Sequence, residues 1–596
     1  MKKPKLIILP LLALVLSGCS ISIITSSETE SSNSESPLNE SSEDVSISED
    51  ISTSEDSSIS EEGTSEEYAD EFERFRKTYP TDPIIPYEDS DYIVKDFPNG
   101  FTYPINARVQ PTNAYLEFWH PETELNFRIS ASKEIFNLIE QCGYHDQKYA
   151  DLYFPVTLNL KMNGKELTYY EVGMRMKGNT SRTQFLDEHT KDFIACISFK
   201  LSFNELWDED IYESFGLKKE WKKSTHPEWK VRDDRTFMCD SSGKSGMKKI
   251  DVKWNKSPDP SLVMQPFVFS FFQRNGLISQ NSTLATLKMN DTRFGVVTIN
   301  EPIDKHLLRR YFDTDSAKGD LYKVGWGETE AGNNDRVKGS LRYEDLRFDS
   351  EGKLLARGIV GEEDKFNYYT PAYDAKEYNS KIDNPFEKIV NLMRVLKDLE
   401  GKQVAEYAPL LEEVIDVSSF LRYAALCYLT GNPDDMRNSG NNYYIFFNPS
   451  EGNKAYFIPY DYDWSLNINW YGGTLDNLSP YHSKHEGDGR KWQSNRLFWA
   501  TIINKDHHSN RDPDYDIILN SAYRNEYKNF VSQFSNDSQF SGTYYNEVYA
   551  TYRTTYENKT TSDLDNRIGR LVSPFESTEI MTGFINGIKN TIEHQL

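Results

Sequence analysis

The sequence predicts a two-lobed α+β protein behind a long polar tether. Three observations point there. The 596-residue chain is 37% hydrophobic and 13% aromatic, which is enough apolar surface for a large core. Its first half carries short alternating runs bounded by turn residues, which read as strands. Its second half carries longer runs with helical spacing. Strands followed by helices are the pattern of an α+β body. At ~100–200 residues per domain, the length allows two to four domains or one large elaborated one.

The N-terminus is set apart from the rest. Met1-Lys2-Lys3-Pro4-Lys5 is basic, and Leu6 to Leu16 is apolar apart from Pro10. That run is too short to span a bilayer and reads as a secretory signal over residues 1–19. Leu16-Ser17-Gly18-Cys19 resembles the bacterial lipobox, in which the cysteine becomes the lipid-carrying N-terminus. An ordinary signal with an incidental cysteine is the plainer reading. Acyl chains on Cys19, at ~0.8 kcal/mol per buried CH₂ group, would anchor the protein durably. Its place would then be extracytoplasmic, lipid-anchored to the bacterial cell membrane.

Residues 20–75 are a Ser/Glu-rich spacer. Between positions 21 and 72 there are sixteen acidic residues and no Lys or Arg. Such a tract cannot bury enough surface to offset its ordering entropy, so it is expected to be disordered and extended by self-repulsion. The formal net charge of −26 argues against a nucleic-acid partner and against docking on anionic lipid by charge alone. Nothing in it demands an oligomer, and a monomer is expected. Cys142, Cys196, Cys239 and Cys427 contain no C-x-x-C or zinc spacing; they read as disulfides in any of three pairings or as buried thiols.

The strand-rich lobe is expected over residues 76–305. Its strand-like runs are Ala114–Trp119, Asp151–Leu160, Glu166–Met176, Phe193–Phe203, Thr283–Met289 and Arg293–Ile299. Asn163-Gly164 and Asn290-Asp291 are turn signals between them. Residues 204–258 read as a polar insertion. Leu262 to Arg274, with Ser261 before and Gly276 after, reads as a capped helix. The helical lobe is expected over residues 306–596, with a second polar insertion over 324–380. Its helices are Phe386–Leu399, Gln403–Leu411, Val417–Thr430 and Glu579–Leu596, and its strands Tyr443–Phe447 and Lys454–Ile458.

The residues with chemistry cluster late in the chain. Asn432-Pro433-Asp434-Asp435 follows a helix. Asn441-Asn442 opens one strand, and Tyr460-Asp461-Tyr462-Asp463 ends its partner. Pairing those strands as a hairpin would bring Asp434, Asn442 and Asp461 to one end of a sheet. One carboxylate to orient a hydroxyl, with an amide and a second carboxylate for Mg²⁺, is what phosphoryl transfer needs. Turn chemistry alone also accounts for Asn-Pro-Asp-Asp. In Phe199-Lys200-Leu201-Ser202-Phe203, strand alternation puts Lys200 opposite the apolar face, toward a cleft or toward solvent. Arg175 and Lys177 share one strand face, where they suit phosphate oxygens.

Six segments, in order over about residues 110–596, resemble the spore coat protein CotH kinase family. They are Gly173-Met174-Arg175-Met176-Lys177-Gly178-Asn179-Thr180-Ser181, Phe199 to Phe203, Lys288 to Asp304, Gly319-Asp320-Leu321-Tyr322-Lys323, Asn432 to Phe446 and Phe457 to Asp463. The resemblance implies an atypical protein-kinase-like fold with ATP and Mg²⁺ or Mn²⁺ held between the lobes. It implies that Asp434 is the catalytic base and that Asp461 binds metal, with Asn442 and Asp463 assisting. It implies Lys200, Arg175, Lys177 and Lys323 at the phosphates and the Glu301 backbone at adenine. The substrates would be Ser or Thr hydroxyls of surface or secreted proteins.

Two departures stand out. Met264-Gln265 falls where the family often has Arg-Glu, and Asn441 where it often has His. These keep open a non-catalytic surface lipoprotein that binds a polysaccharide or protein partner, with Trp207, Trp221, Trp229 and Trp254 as its aromatics. A hydrolase built on Asp461 and Asp463 is a third reading.

Overall fold

The computed structural model describes residues 84–596 except 147–148, 179–181, 220–234, 239–245, 256–258, 326–338, 340, 342, 344–372, 379–384, 400–401, 403, 470–473, 482–520 and 565–573. The described residues belong to one compact unit, Gly63–Leu596. The signal segment, Cys19, the spacer, Asn179 to Ser181, Trp221, Trp229 and Cys239 lie outside them. Among the described residues no helix is long and apolar enough to cross a membrane.

Seven strands of the first half close into a barrel. They are β1 (Leu125–Ser130), β2 (Phe154–Met162), β3 (Lys165–Met176), β4 (Phe199–Ser202), β5 (Lys249–Lys253), β6 (Ser282–Met289) and β7 (Thr292–Asn300), joined in the order β1-β2-β3-β4-β5-β7-β6. Neighbours are antiparallel except at the seam, where β1 runs parallel to β6 with Asn126 opposite Thr286. Asn163 and Gly164, at φ +46° and +83°, turn β2 into β3, as the hairpin signal predicts. Side chains alternate in and out. Phe199 and Leu201 of β4, Ile250 and Val252 of β5 and Ala285 and Leu287 of β6 fill the barrel. Lys200 and Asp251 stand on the outer side.

Three expectations are corrected here. Residues 204–258 are not an insertion throughout, because β5 lies within them and sits between β4 and β7. The run Ala114–Trp119 is helical, not extended: it forms α1 (Asn113–Trp119), capped by Thr112 Oγ1, which accepts from Tyr115 N at 3.1 Å. Tyr115, Phe118 and Trp119 then reach the core at helical spacing. The expected strand Phe193–Phe203 is extended only over β4. β1 and α2 (Lys133–Glu140) were not anticipated.

The second half supplies a four-stranded sheet and most of the helices. β8 (Asp320–Val324), β9 (Tyr373–Glu377), β10 (Tyr443–Asn448) and β11 (Lys454–Pro459) lie in the order β11-β10-β8-β9. β9 falls inside the stretch read as a second insertion. Both faces are covered. Tyr443, Ile445 and Phe447 enter the large helical core. Tyr444 and Phe446 enter a small cluster with Leu321, Ile458 and Tyr460. The helices are α3 (Met264–Arg274), α4 (Lys305–Tyr311), α5 (Glu387–Asp398), α6 (Val404–Val414), α7 (Val417–Thr430), α8 (Met436–Ser439), α9 (Ser521–Ser535), α10 (Gly542–Tyr556) and α11 (Glu579–Gln595). The α+β expectation holds, with a closed barrel as its strand-rich part. The Tyr556 hydroxyl at the end of α10 accepts from Leu125 N at 2.9 Å and donates to Leu284 O at 2.8 Å, across the β1/β6 seam.

Cys142 and Cys427 are buried thiols without a disulfide. Trp207 and Trp254 are buried, and Trp207 Nε1 donates to Tyr153 O at 2.9 Å. Both are core residues rather than an exposed aromatic surface.

Gly431 ends α7 in the left-handed region at φ +57°, and a Cβ there would lie 2.5 Å from the Phe584 ring. Strain and overpacking act together, so Gly431→Ala should lower unfolding free energy by about 1–3 kcal/mol. A urea midpoint equal to wild type would contradict this.

Candidate active site

Strand register sets one wall of the site. Arg175, Lys200, Asp251 and Asn300 stand opposite one another across β3, β4, β5 and β7. Asp251 is the centre of this row. Its carboxylate lies 2.5 Å from Lys177 Nζ and 3.3 Å from Lys200 Nζ. Burial works against its charge, yet the two ammonium groups hold its carboxyl well below the usual range. Burial also pushes the Lys200 ammonium down to about 8, against the pull of Asp251. Arg175 is engaged locally: its guanidinium meets Asp151 at 3.0 Å and Ala150 O at 3.1 Å, and lies over the Tyr153 ring.

Lys253 is two residues along β5 and therefore on the same outer face as Asp251. Its ammonium pairs with Asp461 and, at 2.9 Å, with Asp463. Burial alone would depress it, but the two carboxylates raise it well above the usual lysine range.

The opposite wall comes from the second sheet. Lys323 of β8 stands opposite Tyr444 of β10. Its ammonium lies 4.6 Å from the centre of the Tyr460 ring, and that of Lys177 lies 5.4 Å from the same centre. Among the described residues Lys323 makes no ion pair. Burial, then repulsion from Lys177 and Lys376, pushes it down to about 7.

The acids stand where α7 and the β10/β11 hairpin end. Asn432 Oδ1 accepts from Asp434 N at 2.8 Å, an Asx turn that aims the next carboxylate. Asp434 Oδ1 accepts from Ser439 Oγ at 3.2 Å and Asn441 Nδ2 at 3.1 Å, and Oδ2 accepts from Asn442 Nδ2 at 3.0 Å. With its nitrogen so engaged, Asn442 offers its carbonyl oxygen to other partners. Asn442 and Asp461 hold φ values of +55° and +60°. Tyr460 N donates to Asn442 O at 3.1 Å between them. Asp461 is the most open of the group, with 35% of its side chain exposed. Burial pushes Asp434 up to about 7, reinforced by Asp461 and Asp463 and opposed by the Asn441 hydrogen bond. Burial also lifts Asp463, to about 6. In Asp461 the pull of Lys253 and Lys177 outweighs burial, and its carboxyl falls below the usual value. Asp435 is structural: it caps α8 by accepting from Asn438 N at 2.9 Å.

Glu301 stands elsewhere. Its carboxylate takes Arg310 and Tyr115, each at 2.7 Å, and Asn281 at 2.9 Å, while its backbone N donates to Asn281 O. The carboxylate and the backbone N are therefore committed to the fold. Gln265 is engaged by Asn300: its Oε1 accepts from Asn300 Nδ2 at 3.1 Å.

Asp251 and Lys253 are the residues that sequence reasoning missed. Their signal was the strict alternation Lys249-Ile250-Asp251-Val252-Lys253, concealed in a lysine-rich stretch. The resulting site is polarised. Lys177 and Lys200 share the Asp251 carboxylate with Lys323 near them, while Asp461 and Asp463 share Lys253. The first group suits anionic oxygens and the second a cation. Among the described residues no three His, Cys, Asp or Glu side chains gather as metal ligands. Mg²⁺, however, is commonly held by one or two carboxylates together with phosphates and waters. Asp461 and Asp463, which share Lys253, are two carboxylates of that kind.

Residues 246–585, more than half of the chain, match the family described as CotH kinase protein. The protein belongs to that family. No curated protein matches it.

Proposed function

We propose that the chain is a CotH-type extracytoplasmic protein kinase with a two-lobed kinase-like arrangement. It is lipid-anchored through Cys19 and monomeric, and it transfers the γ-phosphoryl group of ATP to Ser or Thr of surface or secreted proteins. One observation supports this above the rest: Lys323, half-buried and without an ion pair among the described residues, shares the Tyr460 ring with Lys177, within electrostatic reach of the half-buried Asp461 carboxylate. A polyanion and a cation bound together would neutralise both.

Lys177, Lys200 and Lys323 bind the phosphate oxygens. Asp461, Asp463 and Asn442 would hold Mg²⁺ or Mn²⁺, which when bound neutralises charge on the transferring group. Asp434 receives the proton of the substrate hydroxyl as its oxygen bonds to the γ-phosphorus. The bond to the bridging oxygen breaks, and ADP leaves with the electron pair.

The test is incubation of the protein with labelled ATP and Mg²⁺ or Mn²⁺. Label should appear on the protein or an added acceptor, and Asp461→Ala should remove it. Equal, negligible transfer by both would defeat the enzyme reading. One observation favours a non-catalytic protein instead: Lys253 already neutralises Asp461 and Asp463. Failure of Mn²⁺ to bind in the presence of ATP would support that alternative.

The pH profile is a further expectation. In the free protein, kcat/KM for ATP should be bell-shaped around pH 7. The acid limb is Asp434, held up to about 7, which must lose its proton to act as base. The alkaline limb is Lys323, held down to about 7, which must keep its proton to hold phosphate. Arg stays charged throughout this range, so Lys323→Arg should abolish the alkaline limb alone. An unchanged limb would exclude Lys323 from the role.

A further inference from the structure

We propose that a cavity outside the proposed phosphotransfer site binds a neutral saccharide ring. It has a volume of about 210 Å³ and lies among the Phe97–Asn99 segment, the end of α1, one side of α3, the start of β6 and α10. Asn99 Nδ2 bolts the first of these to α3 through Ser270 Oγ at 2.7 Å. The volume far exceeds the ~10–15 Å³ needed for one water.

Three residues of the wall each hold a buried polar atom without a hydrogen-bond partner: Trp119 Nε1, Gln280 Oε1 and Ser282 Oγ. Trp119 is 3% exposed and Gln280 is 2% exposed. An orphaned buried polar atom costs roughly 1–3 kcal/mol, so three around one cavity call for an explanation. They amount to one donor, one acceptor and one hydroxyl that can do either. A ligand with several hydroxyl groups satisfies all three.

The rest of the wall narrows the class. Phe97, Trp119, Phe267, Tyr544 and Tyr552 supply aromatic surface, against which the C–H faces of a pyranose pack. Among the described residues the lining contains no Lys, Arg or His. Its only charges are the carboxylates of Glu122 and Glu547, both exposed. Phosphates and nucleotides are therefore disfavoured. An organic cation suits the carboxylates and aromatic rings but leaves the Trp119 N–H with nothing to donate to. A neutral polyol ring uses every group. Trp119 is then a tryptophan that contacts sugar.

The test is saturation-transfer NMR on the full chain with methyl β-glucopyranoside and with N-acetylglucosamine, using choline chloride and ATP as comparators. One or both sugars should give a saturable signal that ATP does not displace. Gln280→Leu and, separately, Ser282→Ala should raise the sugar Kd at least tenfold while the thermal midpoint of a folded protein is retained. Either variant alone decides if the other does not fold. No saturable signal from either sugar, saturation by choline alone, or displacement by ATP would overturn the proposal. A sugar signal undiminished in a folded variant would do the same. The sugar titration does not require phosphotransfer, so failure of one reading leaves the other standing.

Discussion

Asp434→Asn should cost about 10²–10⁴-fold in phosphoryl transfer, the usual contribution of a positioned general base, with nucleotide affinity close to wild type. The substitution preserves shape. Ser439 Oγ can still donate to the side-chain oxygen, and Asn441 and Asn442 surround the same position. The ability to accept a proton is lost, together with the bond that Oδ2 accepts from Asn442 Nδ2, unless the Asn442 amide turns over. Burial and the neighbouring Asp461 and Asp463 hold the Asp434 carboxyl up to about 7, where a base is matched to neutral pH. Single-turnover transfer and equilibrium ATP binding, measured on the same preparation, separate the two effects. Wild-type transfer in Asp434→Asn would move the base elsewhere. A parallel loss of ATP binding would make Asp434 a binding residue.

Asp251→Asn is expected to have the largest effect on stability. It leaves Lys177 and Lys200 around a neutral side chain, and removing one partner from a buried charge cluster typically costs about 3–5 kcal/mol. Urea unfolding at neutral pH should show a loss of that order. The pH dependence has a definite sign. Lys200 is held down to about 8 in the fold, below its value of ~10.4 in an unfolded chain. A depressed lysine penalises folding at low pH, and the penalty fades as pH rises from about 8 toward the unfolded value. Without Asp251 the depression deepens, so the gap between variant and wild type should narrow as pH rises toward about 8 and change little above it. Asp251 itself, held below the usual carboxylate value by the two lysines, contributes stability that is lost as pH falls below ~4. The variant should lack that acid-limb loss. A gap independent of pH would show that the charges are not what Asp251 holds together.

What the sequence disclosed follows from how local each signal is. Helix α7 over Val417–Thr430 was legible to the residue, because Asp416 caps it and Gly431 ends it. The β10/β11 hairpin was legible because its apolar runs flank a turn with Gly452 and Asn453 at positive φ. That pairing placed Asn442 near Asp461, and the Asx turn at Asn432 brought Asp434 to Asn442. Non-local facts were hidden. Nothing in the residues of β1 announces a parallel partner more than a hundred positions later. Lys200 was chosen as an isolated cation, yet its setting depends on a strand, β5, that its own sequence neighbourhood does not reveal. The aromatic run of α1 carries strand propensity, and tertiary packing with the Thr112 cap decided the issue.

The clasp made by Tyr556 bears on how the protein is made. Its hydroxyl joins Leu125 N across 431 positions of chain. Contacts that distant in sequence form late, since loop closure precedes any gain from them. The clasp therefore closes only when nearly the whole polypeptide is available. Until then the parallel β1/β6 pairing stands without it, and a seam that opens exposes edges of the kind that aggregate. A truncation just before residue 556 should yield a stickier, more protease-sensitive product than the full chain.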